Sequence, residues 1–213
     1  MSLTKAGNAS FAALVARSRA AVSALLTPLP TAEQDRLVAA MGAVERTLGV
    51  APHRGSYTLR PHRPGDMGWI IQRHGALYAQ EYGWDESFEA LVAEIAAAFI
   101  KRRDPRRERC WIAELDGEAV GAVMLVEHAP TVAQLRLLLV EPRARGLGIG
   151  ARLVDECLAF AREAGYREIT LWTQSILNAA RHIYAEAGFR LVREEPHRSF
   201  GHDLVGEVWE RTL

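Results

Sequence analysis

Cysteine is scarce: only Cys110 and Cys157 occur in 213 residues. That excludes a disulfide framework and a cysteine-rich metal site, and leaves two reduced core thiols of the kind found in the cytoplasm. An excess of charge of one sign is also missing. Lys plus Arg and Asp plus Glu both number 26 and cancel, so bulk electrostatics supplies no basis for binding nucleic acid or a membrane surface. No apolar run is long enough to cross a bilayer. Lys5, Arg17 and Arg19 interrupt the one early apolar stretch, which argues against a secretory signal. Internal repeats and low-complexity tracts are lacking too. What remains is ordinary globular material, 49% hydrophobic and 24% charged, enough to build a core without staples.

The chain reads as two segments, residues 1–50 and 56–213, joined by a Pro- and Gly-containing linker from Val50 to Ser56. In the first, Phe11, Leu14, Val15, Val22, Leu25 and Leu26 recur at helical spacing until Pro28 and Pro30 intervene. Thr31 and Gln34 form a capping-box pattern opening a second helix, with Leu37, Met41, Val44 and Leu48 on one face and Gly49 as its stop. Two such helices cannot bury their stripes alone and need a partner surface. In the second segment the expected order is βααβββαβαββ. Asp66 and Asp85 are placed to cap the two helices, and Asp116-Gly117 signals a hairpin. The run Leu135 to Val140 is nearly all apolar and is expected to be buried on both faces.

The most informative stretch is this strand, Leu137-Leu138-Leu139-Val140-Glu141-Pro142, running into Arg143-Ala144-Arg145-Gly146-Leu147-Gly148-Ile149-Gly150 and then a helix. A helix N-terminus presents free N–H groups and the positive end of a dipole, so it attracts phosphate. Glycines let those N–H groups approach an anion, and Arg145 adds a charged donor. A dinucleotide-binding fold would need a parallel βαβ unit near the start and an acidic residue ending the next strand. Here antiparallel-patterned strands come first, and the next strand ends in Trp172-Thr173-Gln174.

The segment resembles the acyl-CoA motif of the GNAT acyltransferases, Arg/Gln-x-x-Gly-x-Gly/Ala after a strand, with Arg145, Gly148 and Gly150 in the matching places. Asn178 to Phe189, with its Asn, Tyr and Gly-Phe, resembles that family's second signature. The resemblance covers about Tyr57 to Leu213. It implies a mixed α/β fold with a splayed central sheet, acetyl-CoA as co-substrate, no metal, and acetyl transfer to a primary amine of a small molecule or peptide. It further implies that the backbone of Leu138, Leu139 and Val140 pairs with the pantetheine arm. Arg145, Gly146, Gly148 and Gly150 would hold the pyrophosphate, Asn178 would contact the pantetheine or the reacting region, and Tyr184 would protonate the leaving thiolate.

Direct transfer to an amine requires a neutral amine, a stabilised oxyanion and a proton for the thiolate. A free N–H of Leu139 or Val140 suits the oxyanion. A tyrosine, with a pKa of about 10, keeps its proton at neutral pH. Many GNAT enzymes carry a base on the strand before the phosphate loop, but Gln134, Arg136 and Leu138 include no acid. Glu127 and Glu81 are the substitutes, with a water relay as the other route. Tyr78, Tyr82 and Trp84, with His202 in the late turn Pro196 to His202, are expected to line the acceptor site. The basic stretch Lys101 to Arg109 carries interspersed acids and no aromatics, and is expected to be a solvated loop.

The first segment resembles the carboxyl end of a MarR-type regulator, in which such helices dimerise. The helix-turn-helix of that family would lie before Leu3. The resemblance therefore implies a homodimer without DNA binding by this chain. It also admits an alternative role, a non-catalytic acyl-CoA sensor of a MarR-type regulator.

Overall fold

The computed structural model describes residues 5–31, positions 33, 34, 36, 37, 40, 41 and 44, and residues 57–213. The chain divides into two units, Met1–Arg54 and Gly55–Leu213. In the first unit, helix α1 spans Lys5–Leu26 and ends just before the two prolines. Gln34 does not act as the far half of a capping box. Its amide donates to the carbonyls of Leu26 and Leu29, at 3.1 and 2.9 Å, closing the end of α1 instead. Phe11, Leu14, Val22 and Leu25 are exposed on α1, and Leu37, Met41 and Val44 are exposed beyond it. Leu48, Gly49 and the expected linker lie outside the described residues.

The second unit follows the expected order: β1 (Thr58–Pro61), α2 (Asp66–Tyr82), α3 (Glu86–Arg102), β2 (Arg109–Leu115), β3 (Glu118–Ala129), β4 (Val132–Val140), a 3₁₀ turn (Pro142–Ala144), α4 (Ile149–Glu163), β5 (Glu168–Gln174), α5 (Asn178–Glu186), β6 (Arg190–Ser199) and β7 (His202–Thr212). Asp85 caps α3, its carboxylate accepting the Ser87 N–H at 3.0 Å. Asp66 is not a cap. Gly65 holds that position, and the Asp66 carboxylate accepts from Arg60 and the Arg63 N–H, at 2.6 Å each.

The seven strands form one sheet in the order β1-β2-β3-β4-β5-β7-β6. All neighbours are antiparallel except β4 and β5. The β2–β3 and β6–β7 turns use paired positive φ angles, 54° and 77° at Asp116-Gly117 and 56° and 80° at Phe200-Gly201, a twist that suits two-residue hairpins. Much of the expected late turn is therefore strand: β6 runs through Pro196 to Ser199. Proline is tolerated because β6 is the sheet edge.

Each face of the sheet carries its own core. On one face α4 packs Leu153, Val154 and Cys157 against Val123, Leu135, Ile169 and Leu171. On the other, α2 and α3 pack Ile70, Val92 and Phe99 against Cys110, Ile112 and Met124. Both thiols are free and buried, as apolar packing of a small side chain favours. No described helix is long and apolar enough to cross a membrane.

Candidate active site

The site begins where β4 stops behaving as a regular strand. It pairs in parallel with β5 from Val132↔Glu168 to Leu135↔Leu171 and no further, although β5 continues to Gln174. On its other edge, the register with β3 slips between Met124↔Arg136 and Ala122↔Leu139. Leu137 takes a φ of 53° inside this bulge, a conformation that non-glycine residues hold only when the surroundings enforce it. The bulge turns β4 away from β5 and opens a wedge. Burial on both faces is consequently not found. Leu135 and Leu139 are buried, while Leu137, Leu138 and Val140 are only partly covered because the wedge opens beside them.

A cavity of about 440 Å³ fills this opening. Leu138, Leu139 and Val140 line one side, the loop Ala144 to Gly150 the mouth, Leu77, Tyr78, Glu81 and Tyr82 of α2 a second side, and Leu177, Ala180 and Ile183 a third. The loop is pinned from below: Glu141 takes a two-pronged bond from Arg73 of α2, one arm at 2.9 Å, and its N–H donates to Val120 at 2.8 Å. Gly146 and Gly148 hold φ angles of 80° and 76° with nothing within 4 Å of an added Cβ. Gly148 caps α4 without a side-chain bond, so the first-turn N–H groups of that helix face the cavity mouth unpartnered by a side chain. Gly150 serves a different need. A Cβ there would lie 2.8 Å from Ile183 Cδ1, so it allows α4 and α5 to approach.

Arg145 is folded back over the wall. Its Nη2 meets Glu81 Oε1 at 2.7 Å and its Nε donates to the Val140 carbonyl at 3.2 Å. The charge is thus held at the mouth, beside the glycine loop. Tyr78 stacks on His74 at 5.9 Å and lies tilted against Trp84 at 4.9 Å. Burial pushes the His74 imidazole down to about 4, against the Ile70 carbonyl bond that raises it, so His74 is a neutral support under Tyr78. Burial, with the nearby Tyr82, pushes the Tyr78 phenol well above its ordinary range.

The structure therefore brings together Leu138, Leu139, Val140, Arg145, Gly146, Gly148, Gly150, Tyr78 and Tyr82. It does not bring the rest into the wall. Asn178 opens α5 between the lining residues Leu177 and Ala179 but is itself exposed, 3.5 Å from Arg181. Tyr184 is buried, edge-on to Phe189 at 5.9 Å, and does not line the cavity. Burial, then the nearby Tyr78, raise its pKa far above the usual phenol value. Trp84 is buried in an aromatic cluster with Tyr78, Phe88 and Phe200. His202 ties the β6–β7 turn to α2 through the Gly83 carbonyl at 3.0 Å. Glu127 lies elsewhere. It sits opposite Ala133 and is ion-paired to Arg107 at 2.6 Å. Six residues of strand separate Ala133 from Leu139, roughly 20 Å, so Glu127 cannot reach the wedge as a base. Sequence reasoning missed Leu77, Leu177, Ala180 and Ile183, whose apolar helical spacing gives no sign of which core residues border a cavity.

A profile of the Acetyltransferase (GNAT) family matches residues 72–189, which takes in the bulged strand, the glycine loop and α5. The chain belongs to this family. It is an acyltransferase of the GNAT type. Among its relatives, a spermidine N(1)-acetyltransferase of Escherichia coli (strain K12) is 28% identical over 156 residues, covering 70% of this chain and 81% of that protein. An uncharacterized N-acetyltransferase of Schizosaccharomyces pombe is 29% identical, covering 64% and 82%. The solved structure of yncA from Salmonella typhimurium with its cofactor acetyl-CoA superposes with a TM-score of 0.61 at 16% identity, covering 74% of this chain and 94% of that one. At that identity the likeness establishes the mixed α/β fold. No group of three or more His, Cys, Asp or Glu among the described residues could hold a metal ion.

Proposed function

We propose that the chain moves an acetyl group from acetyl-CoA directly to a primary amine. The observation that carries this is the wedge itself, which opens between β4 and β5 and leads straight to the glycine loop at the start of α4. The residues fit such a co-substrate. An open loop without Cβ obstruction at Gly146 and Gly148, at a helix N-terminus, suits a pyrophosphate. Beyond Leu135 the edge of β4 toward β5 has no partner strand, which suits an amide-bearing pantetheine arm. Acetyl-CoA supplies an activated thioester. The relatives support the same assignment, since the yncA structure carries acetyl-CoA and the E. coli enzyme is named for acetylating an amine.

In this proposal the backbone of Leu138 to Val140 positions the thioester, with a free N–H there meeting the oxyanion. The loop Arg145 to Gly150 binds the phosphates, and Arg145 exchanges Glu81 for them. Asn178 contacts the pantetheine or the reacting region from the start of α5. Tyr184 holds the proton destined for the thiolate, and its raised pKa keeps it protonated at any physiological pH. Deprotonation of the amine falls to a water relay, with Glu81 as the carboxylate in the wall. The exposed apolar stripes of the first unit support self-association through MarR-like helices into a homodimer. The test is release of free CoA from acetyl-CoA on addition of a panel of amines. Binding of acetyl-CoA without release would point to the sensor role instead.

A further inference from the structure

Arg136 lies on β4 at the position before the bulge, opposite Met124 and therefore on the α2/α3 face of the sheet. It is half-buried, and its side chain makes one hydrogen bond, from Nη1 to Gln134 Oε1 at 3.1 Å. No carboxylate among the described residues pairs with it. Arg60, Arg73 and Arg181, also partly covered, each have an acidic partner. Leaving a guanidinium partly desolvated and unpaired is costly, and burial alone pulls its pKa below the ordinary value with no charge to offset it. It nonetheless stays ionised, since a guanidinium does not deprotonate in proteins.

The strand across the wedge presents matching chemistry on the same face. Gln134 pairs with Thr170, so alternation puts Trp172 and then Gln174 on the side that Arg136 occupies. Trp172 is 43% exposed and tilted against His197 at 5.6 Å. Gln174 is 1% exposed. Its Oε1 is held by His197 Nε2 at 3.0 Å, and His197 Nδ1 is in turn bonded to Ser199 Oγ at 2.9 Å. That chain fixes the amide, and its Nε2 is left with no acceptor. The opposing Gly206 makes the room: a Cβ there would lie 2.8 Å from Trp172 Nε1. A buried amide donor without an acceptor calls for an explanation, because such groups are rare. The face thus offers a lone cation, an orphan N–H donor and an exposed indole. Arg136 precedes Leu138 and Leu139 of the cavity wall by two and three residues, roughly 7–10 Å of strand.

We infer that Arg136, with Gln174, binds a carboxylate on the amine acceptor, so that the acceptor is an amino acid or similar aminocarboxylate and not a polyamine. The inference rests on the acyl-transfer function proposed above. A guanidinium matches the planar carboxylate, the Gln174 amide supplies a further donor, and Trp172 covers the apolar part of the acceptor. A polycation would meet Arg136 as a like charge.

The test compares the standard L-amino acids with their α-carboxamides and with spermidine, as acceptors in a free-CoA assay. Wild type is expected to favour a carboxylate over its amide by about tenfold or more in kcat/KM. Arg136→Gln should remove that preference, raising KM for the carboxylate about tenfold to hundredfold, with acetyl-CoA affinity unchanged and the melting temperature not lowered. Arg136→Lys should retain part of the preference. Equal use of acid and amide by wild type, or an unchanged preference in Arg136→Gln, overturns the inference. Calorimetry of the same ligands on CoA-saturated protein separates the two claims. Carboxylate-dependent binding lost in Arg136→Gln, without turnover of any amine, would keep the anion site and refute acyl transfer. The absence of carboxylate-dependent binding would refute the anion site.

Discussion

Gly148→Glu tests the cofactor cradle with one substitution. Gly148 holds a φ of 76° at the N-cap of α4, where a side chain costs roughly 1–2 kcal/mol. A carboxylate at a helix N-terminus returns about 0.3–1 kcal/mol. With nothing within 4 Å of the new Cβ, the net folding loss is about 1 kcal/mol, and the variant should fold. Its effect on ligand is larger. A carboxylate about 5 Å from a phosphate charge repels it by about 0.8 kcal/mol even at bulk-water dielectric. A pyrophosphate presents two such charges, so CoA should bind about fifteenfold more weakly. Gly148→Ala carries the same backbone strain without the charge and is the control. Calorimetry with CoA should find Gly148→Ala near wild type and Gly148→Glu far weaker, with the gap narrowing at high salt. If both folded variants bind CoA alike, the phosphates do not sit at Gly148.

Tyr184→Phe removes one hydroxyl and keeps the ring, so the acyl-transfer step should slow about 10²–10⁴-fold while acetyl-CoA affinity holds. Tyr166→Phe, whose hydroxyl bonds the Arg107 carbonyl, is the control, and near-normal single-turnover rates in Tyr184→Phe would leave Tyr184 as a packing residue. A protein beginning at Ser56 should sediment as a smaller species than the whole chain and still bind CoA, whereas a whole chain already monomeric would remove the dimer. Burial raises the Asp66 carboxyl, but the bonds from Arg60 and the Arg63 N–H outweigh it and hold the pKa below the ordinary value. That contribution is present above the unfolded pKa of about 3.9 and disappears as pH falls through the lower folded value. Asp66→Asn should destabilise by about 1–2 kcal/mol at neutral pH, since Arg60 keeps its second carboxylate, Glu114, at 2.7 Å, and should flatten the acid limb of the stability profile. An unchanged acid limb would contradict the role given to this pair.

Element order was fully legible because each element announces itself locally. Asp116-Gly117 forces a turn, Asp85 caps a helix, and the apolar stripe of α4 has the helical period. The glycine loop was legible for the same reason, as a strand, glycines and a helix in consecutive residues. What lay beyond local pattern was decided by tertiary contact. The bulge at Leu137 leaves no mark in a run of leucines, so burial on both faces was expected where a wedge opens. Pro196 and Gly201 suggested a long turn, but an edge strand accommodates the proline. Glu127 looked available until Arg107, twenty residues away, was seen to hold it. Tyr184 carried the signature spacing, but spacing alone does not say that its ring is buried outside the residues that line the cavity.

The central claim is that this wedge catalyses acetyl transfer to an amine, and a single-turnover experiment tests it most directly. Enzyme in excess over acetyl-CoA is mixed with each member of a panel of amines and aminocarboxylates, and free CoA is followed against acetylated product. The account predicts that at least one acceptor yields stoichiometric CoA and N-acetyl product, and that Gly148→Glu suppresses the yield at limiting acetyl-CoA. Tight acetyl-CoA binding with no acceptor-dependent release of CoA would contradict it.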